Sequence, residues 1–411
     1  MDYLLKNIKS LIGIRPAETT ILKGAALKEL PSIDNAWLQV VKGRIASFGT
    51  MQTLESVTSS REDTIDCSGR IVMPCYCDSH THLVFADTRE NEFIDKLKGA
   101  TYEEIASKGG GILNSAKKLN ETSEEVLLEK ALERIEEIKN YGTGAVEIKS
   151  GYGLSYDGEL KMLRVIKKLK NLSPIPVKAT FLGAHALPLE YNGRRNDYIK
   201  LLIEDLLPKI AEESLADYCD VFCEKGFFSE EETNLILKAG WKYGLKPKIH
   251  ANQLNLSGGV QAGVRNSAIS VDHLEAMSDE EINCLKISNT IPTLLPSAAF
   301  FLRMQYPPAR KMIDEGLPVT LASDYNPGSS PSGRMGFVVS LACIQMKMTP
   351  EEAINAATLN GAFAMEMGPE VGSITVGKQA NLIITKPINS YNNIPYHFGN
   401  DVIEKVLISK I

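Results

Sequence analysis

The chain has 411 residues, of which 44% are hydrophobic and 23% are charged, and its formal net charge is -6. That length favours one large barrel with a smaller unit, or two to three ordinary domains, and the composition excludes disordered, collagen-like and membrane-spanning classes. Lysine and arginine are scattered among the acidic residues, so no basic stripe follows a phosphate backbone. We expect neither a nucleic-acid partner nor a membrane partner.

The seven cysteines lack the dense, regular spacing of a secreted disulfide scaffold, which favours a reducing compartment. Within residues 1–30, Lys, Asn, Arg and Glu interrupt the apolar runs, and no secretory signal is visible. We therefore expect a cytoplasmic protein. Cys75 and Cys77 form a Cys-x-Cys pattern beside a candidate metal site, but buried strand residues are the better interpretation of this weak pattern.

Both ends of the chain have the pattern of short β-strands. Alternating apolar residues with Gly or Pro boundaries occur in segments 11–16, 36–50, 63–74, 372–387 and 401–411. Because chain termini often lie close together, the strands of the two ends are able to pair. We predict a small composite β-sandwich domain built from residues 1–73 and 357–411.

Between these ends, apolar strand-like runs alternate with amphipathic helical segments. The runs are residues 71–82, 144–153, 177–186, 217–228, 246–254, 268–276, 290–300 and 318–328. Segments with apolar residues at three- and four-residue spacing, typical of helices, fall between several of them. Eight parallel strands with intervening helices specify an α/β fold of the TIM type, so we predict a (β/α)8 hydrolase barrel over residues 74–356.

Histidines gather where the predicted barrel strands end, which is where TIM barrels carry their active sites. Five of the six histidines lie at or near such ends, and Asp324 follows the eighth run; the five are His80, His82, His185, His250 and His273. The spacing of His80 and His82 puts both imidazoles on one side of a strand, where they can chelate one ion. With His250 and Asp324 they form a donor set that suits zinc or iron.

The roles of the remaining candidates stay open at this point. His185 and His273 are further ligands, substrate contacts or packed histidines, whereas His397 belongs to no strand end and is treated as structural. Arg89 is either a clamp for a carboxylate or a solvated loop arginine. Tyr152 and Asn326 are hydrogen-bonding groups on glycine-bearing loops, or ordinary turn residues.

The Gly-rich run at residues 109–112 lacks the spacing of a phosphate loop and the strand that would precede one. A flexible lid over the site is the better interpretation.

The segments that carry these residues resemble the imidazolonepropionases, a family of the amidohydrolase superfamily. The similarity runs over nearly the whole chain, and it is densest in DSHTHLVFADTRENEF, EIKSGYGL, TFLGAHALP, DVFCEKGFFS, VDHLEA, TLLPSAAFFLR and LASDYNPGS. Other amidohydrolases share the His-x-His of the first strand and the Asp of the eighth, but not EIKSGYGL, TFLGAHA and DYNPGS together.

The resemblance implies a homodimer that hydrolyses 4-imidazolone-5-propanoate to N-formimidoyl-L-glutamate with one Zn2+ or Fe3+ per subunit. It implies metal ligation by His80, His82, His250 and Asp324. It implies substrate contacts from Arg89, Tyr152, His185, Asn326, Gly328 and Ser329.

Two positions depart from the family pattern. Some members carry an acidic residue, assigned to activating water, where this chain has Gln253. A neutral amide is no base, so we expect Gln253 to orient water or contact the ring, with the base elsewhere. Asn381 replaces the Asp that is usual in the C-terminal strand, and we expect a small structural effect.

The chemistry expected of this set is attack of metal-activated water on the ring carbonyl carbon, with Asp324 or His273 as proton shuttle. His185 is expected to help stabilise the oxyanion. The sequence leaves the choice of shuttle open.

Three rival functions need separate consideration. A nucleobase deaminase shares the barrel, and a binuclear cyclic amidase would use a carboxylated lysine near the position of Lys225, which we interpret as a surface residue. A non-catalytic scaffold is disfavoured because all four predicted metal ligands are present.

Overall fold

The computed structural model of the chain describes residues 2–56, 63–99 and 110–409. Of the predicted lid run, Gly109 lies outside the described residues, and Gly111 precedes a helix and donates its N–H to Glu92 Oε1 at 2.8 Å. A lid role for this run stays a prediction.

Within the described residues, fifteen strands are distributed over two sheets. In chain order they are β1 (Tyr3–Ile12), β2 (Ser32–Val41), β3 (Arg44–Thr50), β4 (Asp63–Asp66), β5 (Ile71–Pro74), β6 (Tyr76–Thr81), β7 (Thr143–Lys149), β8 (Val177–Ala184), β9 (Tyr218–Cys223), β10 (Lys246–Ala251), β11 (Ser270–His273), β12 (Ile291–Leu294), β13 (Thr320–Leu321), β14 (Leu382–Thr385) and β15 (Ile403–Leu407).

The α-helices surround the larger sheet. They are α1 (Glu90–Leu97), α2 (Ile112–Glu121), α3 (Glu124–Asn140), α4 (Tyr156–Leu172), α5 (Arg195–Lys200), α6 (Leu207–Glu212), α7 (Glu230–Lys242), α8 (Gly259–Arg265), α9 (Asp279–Lys286), α10 (Pro296–Leu302), α11 (Ala309–Asp314), α12 (Met335–Met346), α13 (Pro350–Ala357), α14 (Leu359–Ala364) and α15 (Asn393–Tyr396). None of the helices in the described ranges combines the length and apolarity that crossing a bilayer requires.

Helix α3 illustrates how the sequence specifies these elements. Ser123 caps its first turn by accepting the N–H of Val126, and two glutamates in that turn complement the positive end of the helix dipole. The buried residues Leu127, Ala131 and Ile135 recur at four-residue spacing, which turns one apolar stripe toward the barrel.

The strands from both chain ends form one mixed seven-stranded sheet, in the order β15-β14-β5-β1-β2-β3 with β4 also paired to β1. Strand β14 runs antiparallel to β5, so the C-terminal strands pair with the N-terminal ones as predicted. Leu5, Leu38 and Leu382 belong to the apolar core that this terminal sheet buries.

Strands β6 to β13 form the eight-stranded parallel sheet of a nearly closed barrel, and each strand pairs with its neighbours in chain order. Between β13 and β6 the barrel closes through a parallel bridge of Thr81 and Tyr325. The N–H of Asp324 donates to the His80 carbonyl at 3.0 Å, and the N–H of His82 donates to the Tyr325 carbonyl at 2.9 Å. The predicted barrel, with a sheet built from both chain ends, is thereby confirmed.

The run at residues 71–82 is divided between the two sheets. Ile71–Pro74 pairs with β14 of the terminal sheet, whereas Tyr76–Thr81 is the first barrel strand, and the buried Cys75 joins them. The strand that carries His80 is therefore a direct continuation of the terminal sheet.

Asn381 links the same two units. Its Nδ2 donates to the Gly144 carbonyl at 2.9 Å, and its Oδ1 accepts the Ser409 N–H at 3.0 Å. Its backbone carbonyl accepts the Cys75 N–H at 3.0 Å. An amide can both donate and accept, so Asn381 fills this structural position without the carboxylate that is usual there.

We expect Gly361→Ala to destabilise the protein. A Cβ at this position of α14 would lie 2.3 Å from the Cys77 carbonyl oxygen in β6. Overpacking of this kind costs about 1–3 kcal/mol. The free energy of unfolding, measured by urea denaturation, should fall by that amount.

Gly336→Ala provides the matched control, because nothing lies within 4 Å of a Cβ at this position of α12. Replacing a helical glycine by alanine should stabilise the protein by about 0.5–1 kcal/mol. Equal effects of the two substitutions would contradict the close approach of α14 to β6.

Candidate metal centre and active site

The four predicted metal ligands converge at the carboxyl-terminal mouth of the barrel. His80 and His82 stand at the end of β6, His250 lies in β10, and Asp324 follows β13, so two of the strands concerned lie across the barrel from each other. All four side chains are buried. Strand alternation and barrel closure together bring these residues to one point, as the sequence predicts.

The imidazole Nε2 atoms face one another at the distances of a shared ligand sphere. His250 Nε2 lies 3.4 Å from His82 Nε2. Asp324 Oδ1 lies 3.5 Å from His80 Nε2 and 3.7 Å from His82 Nε2. His80 Nε2 is buried and has no hydrogen-bond partner among the described residues. A buried nitrogen of this kind points to a ligand that belongs between these groups.

The opposite ring nitrogens all face oxygen acceptors. His80 Nδ1 lies 2.6 Å from Asp272 Oδ2, His250 Nδ1 lies 3.0 Å from Asp220 Oδ2, and His82 Nδ1 lies 3.4 Å from a backbone carbonyl. The hydrogen bonds of His80 and His82 at Nδ1 fix the tautomer that leaves Nε2 free for a metal, whereas His250 Nδ1 lies within ion-pair distance of Asp220 without hydrogen-bond geometry.

The protonation state of the three imidazoles also favours metal binding. Burial lowers the pKa of all three imidazoles well below the ordinary histidine range, and neighbouring positive groups lower it further. The rings are therefore neutral, which is the form that binds a metal.

Two overlapping sets of donor atoms could hold an ion. His80, His82 and His250 form one set and His80, His273 and Asp324 form the other, with the atoms of each set within 4.8 Å of one another. Three imidazoles and a carboxylate fit a single transition-metal ion with a position left for water. His273 lies immediately beside this ion site.

His273 is paired with a second buried acid. Glu275 Oε1 lies 3.5 Å from His273 Nδ1, and neither carboxylate oxygen of Glu275 has a hydrogen-bond partner among the described residues. Burial alone would lower the pKa of His273, but the Glu275 carboxylate raises it above the ordinary value. His273 is therefore the most basic imidazole among these histidines.

His185 and Tyr152 form an aromatic wall beside His82. The ring of His185 is stacked on that of His82 at 5.3 Å between centroids, and the Tyr152 ring lies 5.7 Å from both. Burial lowers the pKa of His185 to about 4, so the ring is neutral near pH 7. Its Nδ1 donates to the Gly151 carbonyl at 3.0 Å, which leaves Nε2 as an acceptor.

Arg89 is anchored but retains free donors. Its Nε donates to Ser115 Oγ at 2.8 Å, whereas its buried Nη2 has no partner among the described residues. A Cβ at Gly328 would lie 2.4 Å from Arg89 Nη1, so glycine leaves room for the guanidinium there. A cavity of about 370 Å³ is lined by both residues. This arrangement suits bidentate binding of a carboxylate.

The loop after β13 fixes Asp324 by a local network. Asp324 has a φ of 53°, in the left-handed region that non-glycine residues rarely adopt. Asn326 Nδ2 donates to the Asp324 carbonyl at 2.6 Å, and Ser329 Oγ donates to Asp324 Oδ2 at 3.1 Å. Asn326 Oδ1 accepts the N–H groups of Gly328 and Ser329, each at 2.8 Å. Substrate contact by Asn326 and Ser329 stays a prediction, because both side chains already serve this loop.

The loop after β10 carries Gln253, which is half-buried. Buried Glu224 accepts the N–H of Leu254 at 2.8 Å and contacts the Ser257 hydroxyl, and so fixes the loop around Gln253. Lys225 is exposed, which agrees with the prediction of a surface residue. A contact between Gln253 and substrate stays a prediction.

A layer of buried charges beneath the histidines escaped prediction. We name it the charge layer; its members are Glu147, Lys149, Asp220, Lys248 and Asp272, each at most 1% exposed. Lys248 precedes His250 by two positions in β10, and Glu147 and Lys149 stand two apart in β7. Residues two apart in a strand point to the same side, so these charged side chains face the barrel interior. The sequence signal for such residues is a charged side chain inside an apolar strand run, two positions from a predicted metal ligand, as Lys248 is from His250.

The sequence matches the amidohydrolase family over residues 71–409. It is 58% identical over 408 residues to an imidazolonepropionase of Flavobacterium johnsoniae, with 99% of each chain covered. It is 41% identical over 410 residues to an imidazolonepropionase of Caldanaerobacter subterraneus subsp. tengcongensis, covering 100% of this chain and 97% of the relative.

Solved structures share the fold at much lower identity. E. coli guanine deaminase superposes with a TM-score of 0.75 at 13% identity, covering 100% of this chain and 98% of the deaminase. A triazine hydrolase variant gives a TM-score of 0.73 at 13% identity, covering 99% and 93%. These two likenesses concern the fold alone, whereas the family match and the curated relatives cover nearly the whole chain. The chain therefore belongs to the amidohydrolases and, among them, to the imidazolonepropionase family.

Proposed function

We propose that this protein hydrolyses a ring carbon–nitrogen bond of 4-imidazolone-5-propanoate, so that one water is consumed and N-formimidoyl-L-glutamate is released. The observation that carries the proposal is the convergence of three buried imidazole Nε2 atoms and Asp324 at one barrel mouth. The names of relatives at 41% and 58% identity support the substrate.

We propose one Zn2+ or Fe3+ per subunit, held by His80, His82, His250 and Asp324. When bound, such an ion supplies Lewis-acid activation of water and polarisation of a carbonyl oxygen. The chain's own contribution is to keep the three imidazoles neutral and turned with Nε2 inward.

Arg89, Tyr152 and His185 would orient the substrate. The unpartnered Nη2 of Arg89 is available to the propanoate carboxylate. Burial raises the pKa of Tyr152, so its hydroxyl stays protonated and can donate a hydrogen bond. The neutral His185 presents Nε2 as an acceptor, which suits a ring N–H. The oxyanion role that the sequence suggests for His185 would require a proton on Nε2, and the neutral ring has none there while Nδ1 donates to Gly151.

We assign the proton shuttle to His273 in preference to Asp324. One oxygen of Asp324 faces His80 and His82, and the other accepts the Ser329 hydroxyl, so both are engaged. The pKa of His273 is raised by Glu275, which makes its imidazole the better acceptor of a proton from water and the donor to the leaving nitrogen.

Further proposals concern the protein as a whole. We propose a cytoplasmic homodimer that acts on a small molecule, with no nucleic-acid or membrane partner; seven free cysteines are compatible with a reducing compartment. The division into residues 1–73 with 357–411 and residues 74–356 also stays a proposal, supported by the pairing of β14 with β5.

Removal of metal by a chelator should abolish turnover of freshly prepared 4-imidazolone-5-propanoate. Adding back one equivalent of Zn2+ or iron should restore it, because three imidazoles and one carboxylate are the donor set of a single ion. Loss of ring absorbance and elemental analysis of the same sample measure both quantities. Two ions per chain, or full turnover by metal-free protein, would contradict the proposed site.

Arg89→Gln should raise KM more than it lowers kcat. Hydrogen bonds to a charged group contribute about 1.5–3 kcal/mol, so KM should rise about 10- to 160-fold. Arg194→Gln is the control, because Arg194 is 61% exposed and should leave steady-state kinetics unchanged. A loss confined to kcat would exclude Arg89 as the carboxylate clamp.

His273→Gln should retain metal but lose about 100- to 10,000-fold in kcat, which is the usual contribution of a general acid–base group. Asp324→Asn should instead lower metal content together with turnover. Single-turnover kinetics and elemental analysis of the two variants make the comparison. Near-normal turnover by His273→Gln would return the shuttle role to Asp324.

A further inference from the structure

Lys149 occupies the centre of the charge layer. Its Nζ lies 2.8 Å from Asp220 Oδ2, 2.8 Å from Glu147 Oε1 and 3.4 Å from Asp272 Oδ2. The side chain is 0% exposed, so the ammonium is removed from bulk solvent. Burial alone would lower the pKa of Lys149, but the three carboxylates raise it, and the ammonium remains charged.

Each of the two aspartates lies against Nδ1 of one metal-site histidine, Asp272 by a hydrogen bond and Asp220 at ion-pair distance. Asp272 Oδ2 lies 2.6 Å from His80 Nδ1, and Asp220 Oδ2 lies 3.0 Å from His250 Nδ1. In each aspartate, the oxygen that faces the imidazole is the same oxygen that faces the Lys149 ammonium.

The other oxygen of each aspartate is also held. Asp272 Oδ1 accepts the Ser270 hydroxyl at 2.6 Å, and Asp220 Oδ1 accepts the His250 backbone N–H at 3.1 Å. Neither carboxylate is therefore able to rotate without losing a contact.

We propose that Lys149 is a positioning residue for the metal centre, which it serves by clamping Asp220 and Asp272 so that His250 and His80 turn Nε2 toward a common ion. One side chain thus sets the orientation of two ligands that come from strands on different sides of the barrel. The inference rests on the metal site of the proposed function, and it adds a residue from β7 that contacts neither metal nor substrate.

A positioning role and a purely electrostatic role predict opposite results. A buried ammonium repels a nearby cation, so removing its charge would tighten metal binding if charge alone mattered. If Lys149 acts by holding the two carboxylates, its removal weakens binding, because the imidazoles lose their fixed orientation.

Lys248 provides a matched control. It is also a buried lysine of the charge layer at 0% exposure, but its Nζ forms its ion pair with Glu147 and not with either aspartate. Comparing Lys149→Met with Lys248→Met therefore separates the clamp from the general cost of deleting a buried ammonium.

The test is metal binding by purified, metal-stripped full-length protein. Zn2+ affinity is measured by competition with a chromophoric chelator, and the visible spectrum of the Co2+-loaded protein reports ligand geometry. Lys149→Met should bind Zn2+ at least about tenfold more weakly than wild type and show an altered Co2+ spectrum, whereas Lys248→Met should stay within about threefold and keep the wild-type spectrum.

Unchanged or tighter Zn2+ binding by Lys149→Met would overturn the inference, as would an equal loss in both variants. If Lys149→Met is not recovered folded, Lys149→Gln replaces it, since the amide can still donate to one carboxylate. A Zn2+ affinity below that of wild type supports the clamp, and a wild-type Zn2+ affinity overturns it. Because no substrate is used, a wrong substrate leaves this result intact. Failure of the wild-type protein to bind metal would overturn both the site and the clamp.

Discussion

The orientation of three buried imidazoles is the constraint on which the rest of the site depends. A neutral histidine offers a free Nε2 only in the tautomer that carries its proton on Nδ1, and the carboxylates that face Nδ1 of His80 and His250 inside the barrel favour that tautomer. A buried carboxylate is tolerated only when it is compensated. The lysines of the charge layer provide this compensation, so the use of buried histidines as metal ligands also determines which charged residues occupy the barrel core.

Barrel closure depends on the same residues. Strand β13 spans only two residues, and the seam to β6 is completed by backbone hydrogen bonds of His80, His82 and Asp324 and by Asp78, which accepts the N–H and hydroxyl of Ser323. Residues that close the sheet are therefore metal-site residues or their immediate neighbours. A change that loosens this seam would move Asp324 relative to the histidines. The hydrogen bonds from Asn326 and Ser329 oppose such a movement, because they hold Asp324 in its left-handed backbone conformation.

Local pattern was enough to predict the eight barrel strands, the pairing of the chain ends and the gathering of histidines, because strand period, helix period and turn residues are encoded over short distances. The predicted domain boundary after residue 73 falls inside the run at 71–82, but local pattern gave that run as one apolar segment, since its division into β5 and β6 depends on where β14 arrives from the other end of the chain. Local pattern also missed the partners of Lys149. Alternation indicates that Lys149 points inward, but the residues it meets are set by strand register across the barrel.

The charge layer also explains how a cation site is compatible with a buried core. The layer contains three carboxylates and two ammonium groups, so it carries an excess of one negative charge beneath the Nε2 atoms. Carboxylates alone would attract an ion more strongly, but they would repel one another in a region of low dielectric and take up protons instead. Lys149 holds Asp220 and Asp272 in place, and Lys248 compensates Glu147, at the cost of some attraction for the ion. The barrel interior thus favours precise placement of the imidazoles over the strongest possible local field.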